Sequence, residues 1–201
     1  GAQAQFLQDI RDGQNVSIGI MGTSLSHPVS STPIPGFVGW WVDDLKTYLQ
    51  GEATDPGNVT FFTRAVGATD SGFGVNNGLG SQLPLMLGDN PDVVFIEFAV
   101  NDALTTSGIS VAQSTANLNS MVSQLQANNP DIYIILQTMN VTSVADEAAN
   151  RPNQAAYQQA TRDVAAAHDL LLIEHFDIWA DLRTNDPTQY ATFVDDGVHP
   201  T

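Results

Sequence analysis

The chain contains no cysteine, which removes several kinds of chemistry at once. A disulfide, a thiolate metal site and a cysteine nucleophile are all excluded by this composition. The cellular compartment stays open, because many secreted bacterial proteins also lack cysteine.

Basic residues are scarce: 6 Lys and Arg stand against 22 Asp and Glu, for a net charge of −16. Such a surface repels nucleic acid and anionic membranes, so we expect neither as a partner. The acids are scattered singly along the chain, unlike a disordered acidic tail, and no calcium-loop spacing occurs among them. We interpret the charge as a means of solubility in salty or extracellular conditions.

Long apolar runs are also missing, and none approaches the roughly 18 residues needed to cross a membrane. The opening "GAQAQFL" lacks the basic start and apolar middle of a signal peptide. We interpret it as what remains after a signal peptide is removed, which predicts a secreted or periplasmic protein. The 201 residues, 42% of them hydrophobic, are enough for one domain with a sizeable core over 1–201.

Strand-like and helix-like segments alternate along this domain. Apolar runs predict five strands, at 15–22, 58–66, 91–100, 131–138 and 169–176, and amphipathic stretches predict helices at about 36–50, 79–88, 110–128 and 152–168. Ser110 is the expected N-cap of the third helix, and the Gly- and Asn-rich stretch 70–80 is predicted to be a loop. The alternation indicates an α/β fold, a three-layer α/β/α sandwich with a five-stranded, mostly parallel sheet.

Polar side chains follow the predicted strands at the points where these end. Ser24 comes after the first strand, Asn101 lies where the third ends, and His199 follows Asp196 by three residues near the C-terminus. Ligands of parallel sheets bind beyond the carboxyl ends of the strands, so we expect these groups to meet at one sheet edge.

Together these groups fit the needs of an ester hydrolase, which requires a nucleophile, a base, a group that orients the base and oxyanion donors. Ser24 can supply the hydroxyl, His199 the base, and Asp196 the carboxylate that fixes the imidazole tautomer. The oxyanion donors are the Asn101 amide and the backbone N–H groups of Ser24 and of Gly67 or Ala68.

Other ionisable side chains rank behind these for catalysis: His27, His168, His175, Asp102 and Asp195. His27 is the alternative base, but its place before a proline favours the cleft lining or the surface. We expect His168 to end a helix, His175 to pack at the end of the fifth strand and Asp102 to hold its own loop. The spacing of three residues favours Asp196 over Asp195 as the partner of His199.

Taken in order, four segments of the chain resemble the sequence blocks of the SGNH/GDSL hydrolase family. They are "MGTSLS" (21–26), "RAVGATDSG" (64–72), "FAVND" (98–102) and "DDGVHP" (195–200). The resemblance departs from the usual pattern in Thr23 for Asp, Ala99 for Gly, and Ala68 where the second-block Gly is usual. It also implies a further helix after Thr201, since family members normally continue into one that packs on the sheet.

The resemblance implies a flavodoxin-like fold and a serine esterase without metal or cofactor. Ser24 would be the nucleophile, His199 the base, Asp196 its orienting partner, and Asn101 with the second-block backbone would hold the oxyanion. It allows lipases, thioesterases, lysophospholipases and carbohydrate acetylesterases.

Among these substrates we favour a small acyl group, acetate, on a polysaccharide, because no long apolar lid is visible in the sequence. Phe73, or a tryptophan at 40 or 41, could stack on a sugar ring, although at least one tryptophan is expected in the core. The alternatives are a lipase or thioesterase, an acyltransferase with the same site, and a non-catalytic carbohydrate-binding module whose site has decayed.

Overall fold

Five strands form the centre of the protein in the computed structural model, which describes residues 5–27, 40–76, 78 and 80–200. The strands are β1 (Val16–Met21), β2 (Val59–Thr63), β3 (Val93–Ile96), β4 (Tyr133–Gln137) and β5 (Leu171–Ile173). Their order in the sheet is β2-β1-β3-β4-β5, and every pairing is parallel. The predicted α/β fold with a five-stranded sheet is confirmed. All carboxyl ends lie along one edge.

Helices connect and cover these strands. They are α1 (Gln5–Arg11), α2 (Trp40–Glu52), α3 (Ser71–Val75), α4 (Gln82–Asp89), α5 (Ala99–Asp102), α6 (Val111–Asn128), α7 (Val144–Asn150), α8 (Gln154–Ala167), α9 (Phe176–Asn185) and α10 (Pro187–Phe193). Ser110 caps α6 as predicted, its side chain accepting the N–H of Gln113. The start of the predicted helix 36–50 lies outside the described residues.

Helices pack on both faces of the sheet, so the core has two halves. On one face, residues of α4, α6 and α8 pack against β3 and β4, with Met86, Met121 and Val164 among the buried side chains. On the other, α1 and α2 cover β1 and β3 through residues such as Ile10 and Leu49. This is the three-layer arrangement. All four β3 residues are buried, because the strand is covered on both faces. No helix among the described residues is long and apolar enough to cross a membrane.

The prediction that 70–80 forms a loop was wrong, since Ser71–Val75 is helical. Asp70 caps this helix by accepting the N–H of Phe73. Gly74 is poor for a helix on propensity alone, yet a Cβ there would collide with Phe98 and Met121. Close packing against the core therefore decides the local structure.

All five strands are shorter than predicted, and β3 and β5 differ most from their predicted ranges. β3 ends at Ile96, so 97–100 is not strand, and helix α5 begins at Ala99. β5 covers only Leu171–Ile173, because the Thr138 hydroxyl accepts the next free backbone N–H groups, those of His175 and Phe176. The chain then enters α9 and α10, which the sequence analysis did not predict.

Candidate active site

Ser24 lies in a tight turn directly after β1. The Ser26 N–H donates to the Thr23 carbonyl across this turn at 3.2 Å. The Trp41 indole N–H donates to the Leu25 carbonyl at 2.9 Å, so α2 fixes the far side of the turn. Thr23, Leu25 and Ser26 are buried, whereas Ser24 is partly open to solvent. The turn therefore presents one hydroxyl outward from a fixed backbone.

A buried carboxylate that the sequence analysis missed lies beneath the turn. Glu97, the first residue after β3, accepts hydrogen bonds from Thr23 and Ser26. Burial, with a smaller contribution from the charge of nearby Asp102, raises the pKa of Glu97 to about 7 against the lowering effect of these bonds. The signal was present as one acid inside the otherwise apolar run "VVFIEFAV".

Gln82 ties the nucleophile segment to the loop that follows β2. Its side-chain oxygen accepts the Gly22 N–H at 2.7 Å, and its amide donates to the Gly22 carbonyl at 2.8 Å. The same amide lies 3.2 Å from the Thr69 hydroxyl. Gly22 has no room for a side chain, because a Cβ there would collide with the Glu97 carboxyl. The buried Gln82 side chain thus holds the segment before Ser24 and the loop after β2 together.

Asp196 and His199 face each other within one turn. Asp196 Oδ2 lies 2.6 Å from His199 Nδ1, while Oδ1 accepts the backbone N–H groups of Val198 and His199, each at 2.7 Å. Burial alone would raise the pKa of Asp196, but these hydrogen bonds outweigh it and lower the pKa. The carboxylate therefore stays ionised and can hold the imidazole in one orientation.

Neighbouring segments fix the turn that carries His199. The Ser143 N–H donates to the Gly197 carbonyl at 2.7 Å, and the Asn140 amide donates to the Val198 carbonyl at 2.8 Å. Gly197 has φ +83°, a conformation that favours glycine. Val198 packs against a small buried cluster formed by Leu25, Val100 and Met139. This cluster joins the Ser24 turn to the His199 turn.

The two turns meet at the carboxyl edge of the sheet. Ser24 Oγ lies 2.8 Å from His199 Nε2, although the two residues are 175 positions apart in sequence. Ser24, His199 and Asp196 thus form one continuous hydrogen-bonded chain. This arrangement can transfer a proton from the hydroxyl to the imidazole and stabilise the resulting imidazolium.

Asn101 and the loop after β2 complete the surroundings of Ser24. The Asn101 amide donates to the Thr69 carbonyl at 2.8 Å, which leaves its second N–H for another acceptor. A Cβ on Gly67 would lie 3.8 Å from the Ser24 Cβ, so this backbone borders Ser24. Ala68 has φ +60°, in the left-handed region where glycine is favoured. The Arg151 guanidinium donates to the Val100 carbonyl at 2.8 Å and thereby holds the segment that carries Asn101.

The remaining sequence candidates have other surroundings. Asp102 is buried, and it accepts the Ser71 N–H and the Ser114 hydroxyl, which holds α3 and α6 to its own segment. His168 contacts Asn119 at 2.7 Å at the end of α8, and His175 precedes α9, where burial lowers its pKa.

The last four described candidates from the sequence are His27, Asp195, Trp41 and Phe73. His27 is exposed, and Asp196, not Asp195, contacts His199. Trp41 packs against Phe95 in the core, whereas Phe73 is 37% exposed on α3. The side chain of Trp40 lies outside the described part of the chain.

Comparison with known families gives one match over most of the chain. Residues 20–201 match the model of the GDSL-like lipase/acylhydrolase family. No curated protein matches the chain.

Solved structures share the fold at low sequence identity. A lipase/acylhydrolase from Enterococcus faecalis is 20% identical, with a TM-score of 0.67 over 92% of this chain and 87% of that one. An acetylxylan esterase from Geobacillus stearothermophilus is 15% identical, with a TM-score of 0.68 over 96% and 90%. A two-domain esterase active on acetylated mannans is 16% identical, with a TM-score of 0.70 over 99% of this chain and 48% of that one.

Proposed function

The chain belongs to the GDSL-like lipase/acylhydrolase family, and from this premise we propose that it is a serine esterase that removes small acyl groups, acetate above all, from a carbohydrate. Family membership makes the protein a carboxylic ester hydrolase. The mechanism and the substrate are the parts we propose. The single observation that supports the mechanism best is the 2.8 Å contact between Ser24 Oγ and His199 Nε2.

In the acylation half of the reaction, Ser24 Oγ attacks the ester carbonyl carbon while its proton passes to His199 Nε2. Asp196 stabilises the imidazolium that forms. The carbonyl oxygen becomes an oxyanion that accepts hydrogen bonds from the Asn101 amide and from backbone N–H groups, those of Ser24 and of Gly67 or Ala68. The bond to the alcohol oxygen then breaks, and the leaving oxygen takes the proton from His199.

In the deacylation half, water gives a proton to His199 Nε2 and attacks the acyl carbon on Ser24. The same donors hold the second oxyanion. The bond between the acyl carbon and Ser24 Oγ breaks, Oγ regains its proton from His199, and the carboxylic acid leaves. Every proton that moves passes through one imidazole nitrogen, so the reaction needs no additional acid or base.

A carbohydrate acetate is the substrate class we favour, for three reasons. Fold neighbours include esterases of acetylated xylan and acetylated mannan. Phe73, 37% exposed, lies one helical turn after Asp70 in the segment that continues from Gly67, where an aromatic ring can stack on a sugar. The net charge of −16 disfavours anionic lipid interfaces. Such a substrate lies outside the cytoplasm, in keeping with a secreted or periplasmic protein.

Hydrolysis of p-nitrophenyl acetate by the wild type and by Ser24→Ala tests the mechanism. We expect the variant to lose about 1,000-fold or more in kcat/KM, because the groups of such a triad act as a unit. Ser123→Ala, on the exposed side of α6, is the matched control and should keep the wild-type rate. Equal rates in the wild type and Ser24→Ala would contradict the proposal.

The acyl and alcohol preferences are tested with a series of esters. We expect acetate to be cleaved faster than octanoate, and acetylated xylan or mannan to release acetate. A strong preference for long chains would instead favour a lipase or thioesterase. Transfer of the acetyl group to an added sugar, detected by mass spectrometry, would favour the acyltransferase.

A further inference from the structure

The turn that carries Ser24 is held by a single buried carboxylate. Glu97 is 1% exposed and directly follows β3. Its Oε1 accepts the Thr23 backbone N–H at 2.6 Å, the Thr23 hydroxyl at 2.9 Å and the Ser26 hydroxyl at 2.8 Å. One carboxylate oxygen thus gathers three donors from within four consecutive residues.

These donors lie on both sides of the nucleophile in sequence. Thr23 precedes Ser24, and Ser26 follows it by two residues. The Thr23 hydroxyl also accepts the Leu25 N–H at 3.2 Å, so the link from Glu97 reaches the residue directly after Ser24 as well. The described hydrogen bonds of the Glu97 carboxylate are made with Thr23 and Ser26 and not with Ser24 itself, so its influence on Ser24 passes through the backbone of the turn.

A carboxylate at this position is not explained by packing. The β3 residues before it and Phe98 after it are apolar and buried, and an apolar side chain would avoid the cost of burying an acid. The acid is accommodated because three donors converge on it and because Gly22 leaves space for its carboxyl. All these compensating features belong to the Ser24 turn or the strand end before it.

We propose that Glu97 is a positioning residue that sets the direction of the Ser24 hydroxyl toward His199. The inference rests on the proposed function, because it assigns Glu97 a role in the reaction at Ser24. A displacement of about 1 Å at a nucleophile is enough to slow a reaction about 100-fold. Partial loosening of the turn should therefore lower kcat while the binding of a small ester, measured by KM, changes little.

Two conservative substitutions test the role from opposite sides of the contact. Glu97→Gln keeps one accepting oxygen but no charge, and Thr23→Val removes a hydroxyl at nearly constant volume. We expect each to lower kcat for p-nitrophenyl acetate about tenfold, with KM within about twofold of the wild type. Thr23→Ser, which keeps the hydroxyl, should restore kcat to within about threefold of the wild type. If Glu97→Gln does not fold, the Thr23 pair gives the answer alone.

The chain offers a matched control at the opposite end of β1. Asp92 Oδ2 accepts the Ser17 backbone N–H at 2.7 Å and the Ser17 hydroxyl at 2.6 Å, the same pattern that Glu97 makes with Thr23. Asp92→Asn and Ser17→Ala should lower the melting temperature without lowering kcat. A double variant Thr23→Val/Glu97→Gln should be slowed by less than the product of the two single effects, because both changes weaken the same contact.

The outcomes separate the two proposals. If Thr23→Val and Glu97→Gln keep the wild-type kcat and change only the melting temperature, as the Asp92 control does, the positioning role is wrong while the Ser24 mechanism stands. The same holds if Thr23→Ser is as slow as Thr23→Val. If Ser24→Ala, measured beside them, hydrolyses the ester at the wild-type rate, the proposed function itself fails.

Discussion

The two N–H groups of the Asn101 side-chain amide have different partners in the proposed mechanism. One donates to the Thr69 carbonyl at 2.8 Å and fixes the plane of the amide, and in the proposed mechanism the other donates to the oxyanion. Because the amide is oriented before the substrate arrives, it needs little reorganisation during the reaction. In the proposed mechanism, Asn101 thus holds the loop after β2 as well as the oxyanion.

Replacing Asn101 by Ala removes both functions, and we expect kcat to fall about 100- to 1,000-fold, as for the loss of one oxyanion donor. KM should change little, because the lost bond is strongest in the transition state. Steady-state kinetics with p-nitrophenyl acetate measures both constants. Asn119→Ala, which removes the partner of His168 on α6, is the control and should leave kcat unchanged. An Asn101→Ala variant with wild-type kcat would exclude the side chain from the oxyanion site.

At this scale the sequence was enough to propose residues for the chemistry, but it did not reveal the residues that hold them in place. Ser24 and Asn101 could be singled out because each follows a predicted strand, and His199 because it follows Asp196 by three residues. Glu97 and Gln82 were missed, because their contacts join segments 60 or more positions apart and leave no local pattern. An isolated acid in an apolar run is the only trace that Glu97 leaves in the sequence.

Among the elements, the turn from Asp196 to His199 depends most on one backbone conformation. Gly197 has φ +83°, and a Cβ there would lie 2.7 Å from the Ser143 hydroxyl oxygen. The same turn lets Asp196 accept two backbone N–H groups and reach the imidazole. The geometry of the acid–base pair therefore depends on a residue that has no side chain.

We expect Gly197→Ala to destabilise the protein by about 1–2 kcal/mol, because a left-handed conformation is unfavourable for alanine. It should also lower kcat, since the turn has to shift away from Ser143. Chemical denaturation measures the first effect and ester hydrolysis the second. Gly88→Ala is the matched control: this glycine lies in α4 with open space around it, so alanine should stabilise the helix by about 0.5–1 kcal/mol. Equal stability changes in both variants would contradict this account.

Elements with a strong hydrophobic period were predictable, and those set by tertiary contacts were not. β1 and α6 follow from apolar runs and a Ser cap that act locally. α3 forms although it contains two glycines, and one of them, Gly74, packs so closely on Phe98 and Met121 that a side chain would collide there. β5 ends early, and the hydroxyl of Thr138, directly after β4, accepts the N–H groups of His175 and Phe176. Such contacts become visible only when distant segments are brought together.

For the molecule as a whole, stability at different pH values depends on acids with opposite environments. Glu97 is buried, and its pKa is raised to about 7 from 4.5. Glu174 loses some hydration by burial, but hydrogen bonds from Arg162 and Thr138 outweigh this and lower its pKa to about 2. The first acid is less easily ionised in the folded state than in the unfolded state, and the second is more easily ionised.

These two pKa shifts make the stability of the folded state depend on pH in opposite directions. Glu97 is more protonated when folded, so its contribution to stability is complete below pH 4.5 and is lost as the pH rises to about 7. Glu174 is less protonated when folded, so its contribution is present above pH 4.5 and is lost as the pH falls toward 2. A glutamine at either position does not titrate. Subtracting the free energy of unfolding of the wild type therefore removes the contribution of the other titratable groups, which both proteins share.

We therefore expect the free energy of unfolding of Glu97→Gln, minus that of the wild type, to rise by about 3 kcal/mol between pH 4.5 and pH 7.5. For Glu174→Gln the difference should be negative near neutral pH, because the ion pair with Arg162 is lost, and should shrink as the pH falls below 4.5. Urea denaturation at a series of pH values measures both. A difference for Glu97→Gln that stays constant with pH would mean that this carboxyl titrates alike in the folded and unfolded chains, and burial would then not outweigh the hydrogen bonds from Thr23 and Ser26.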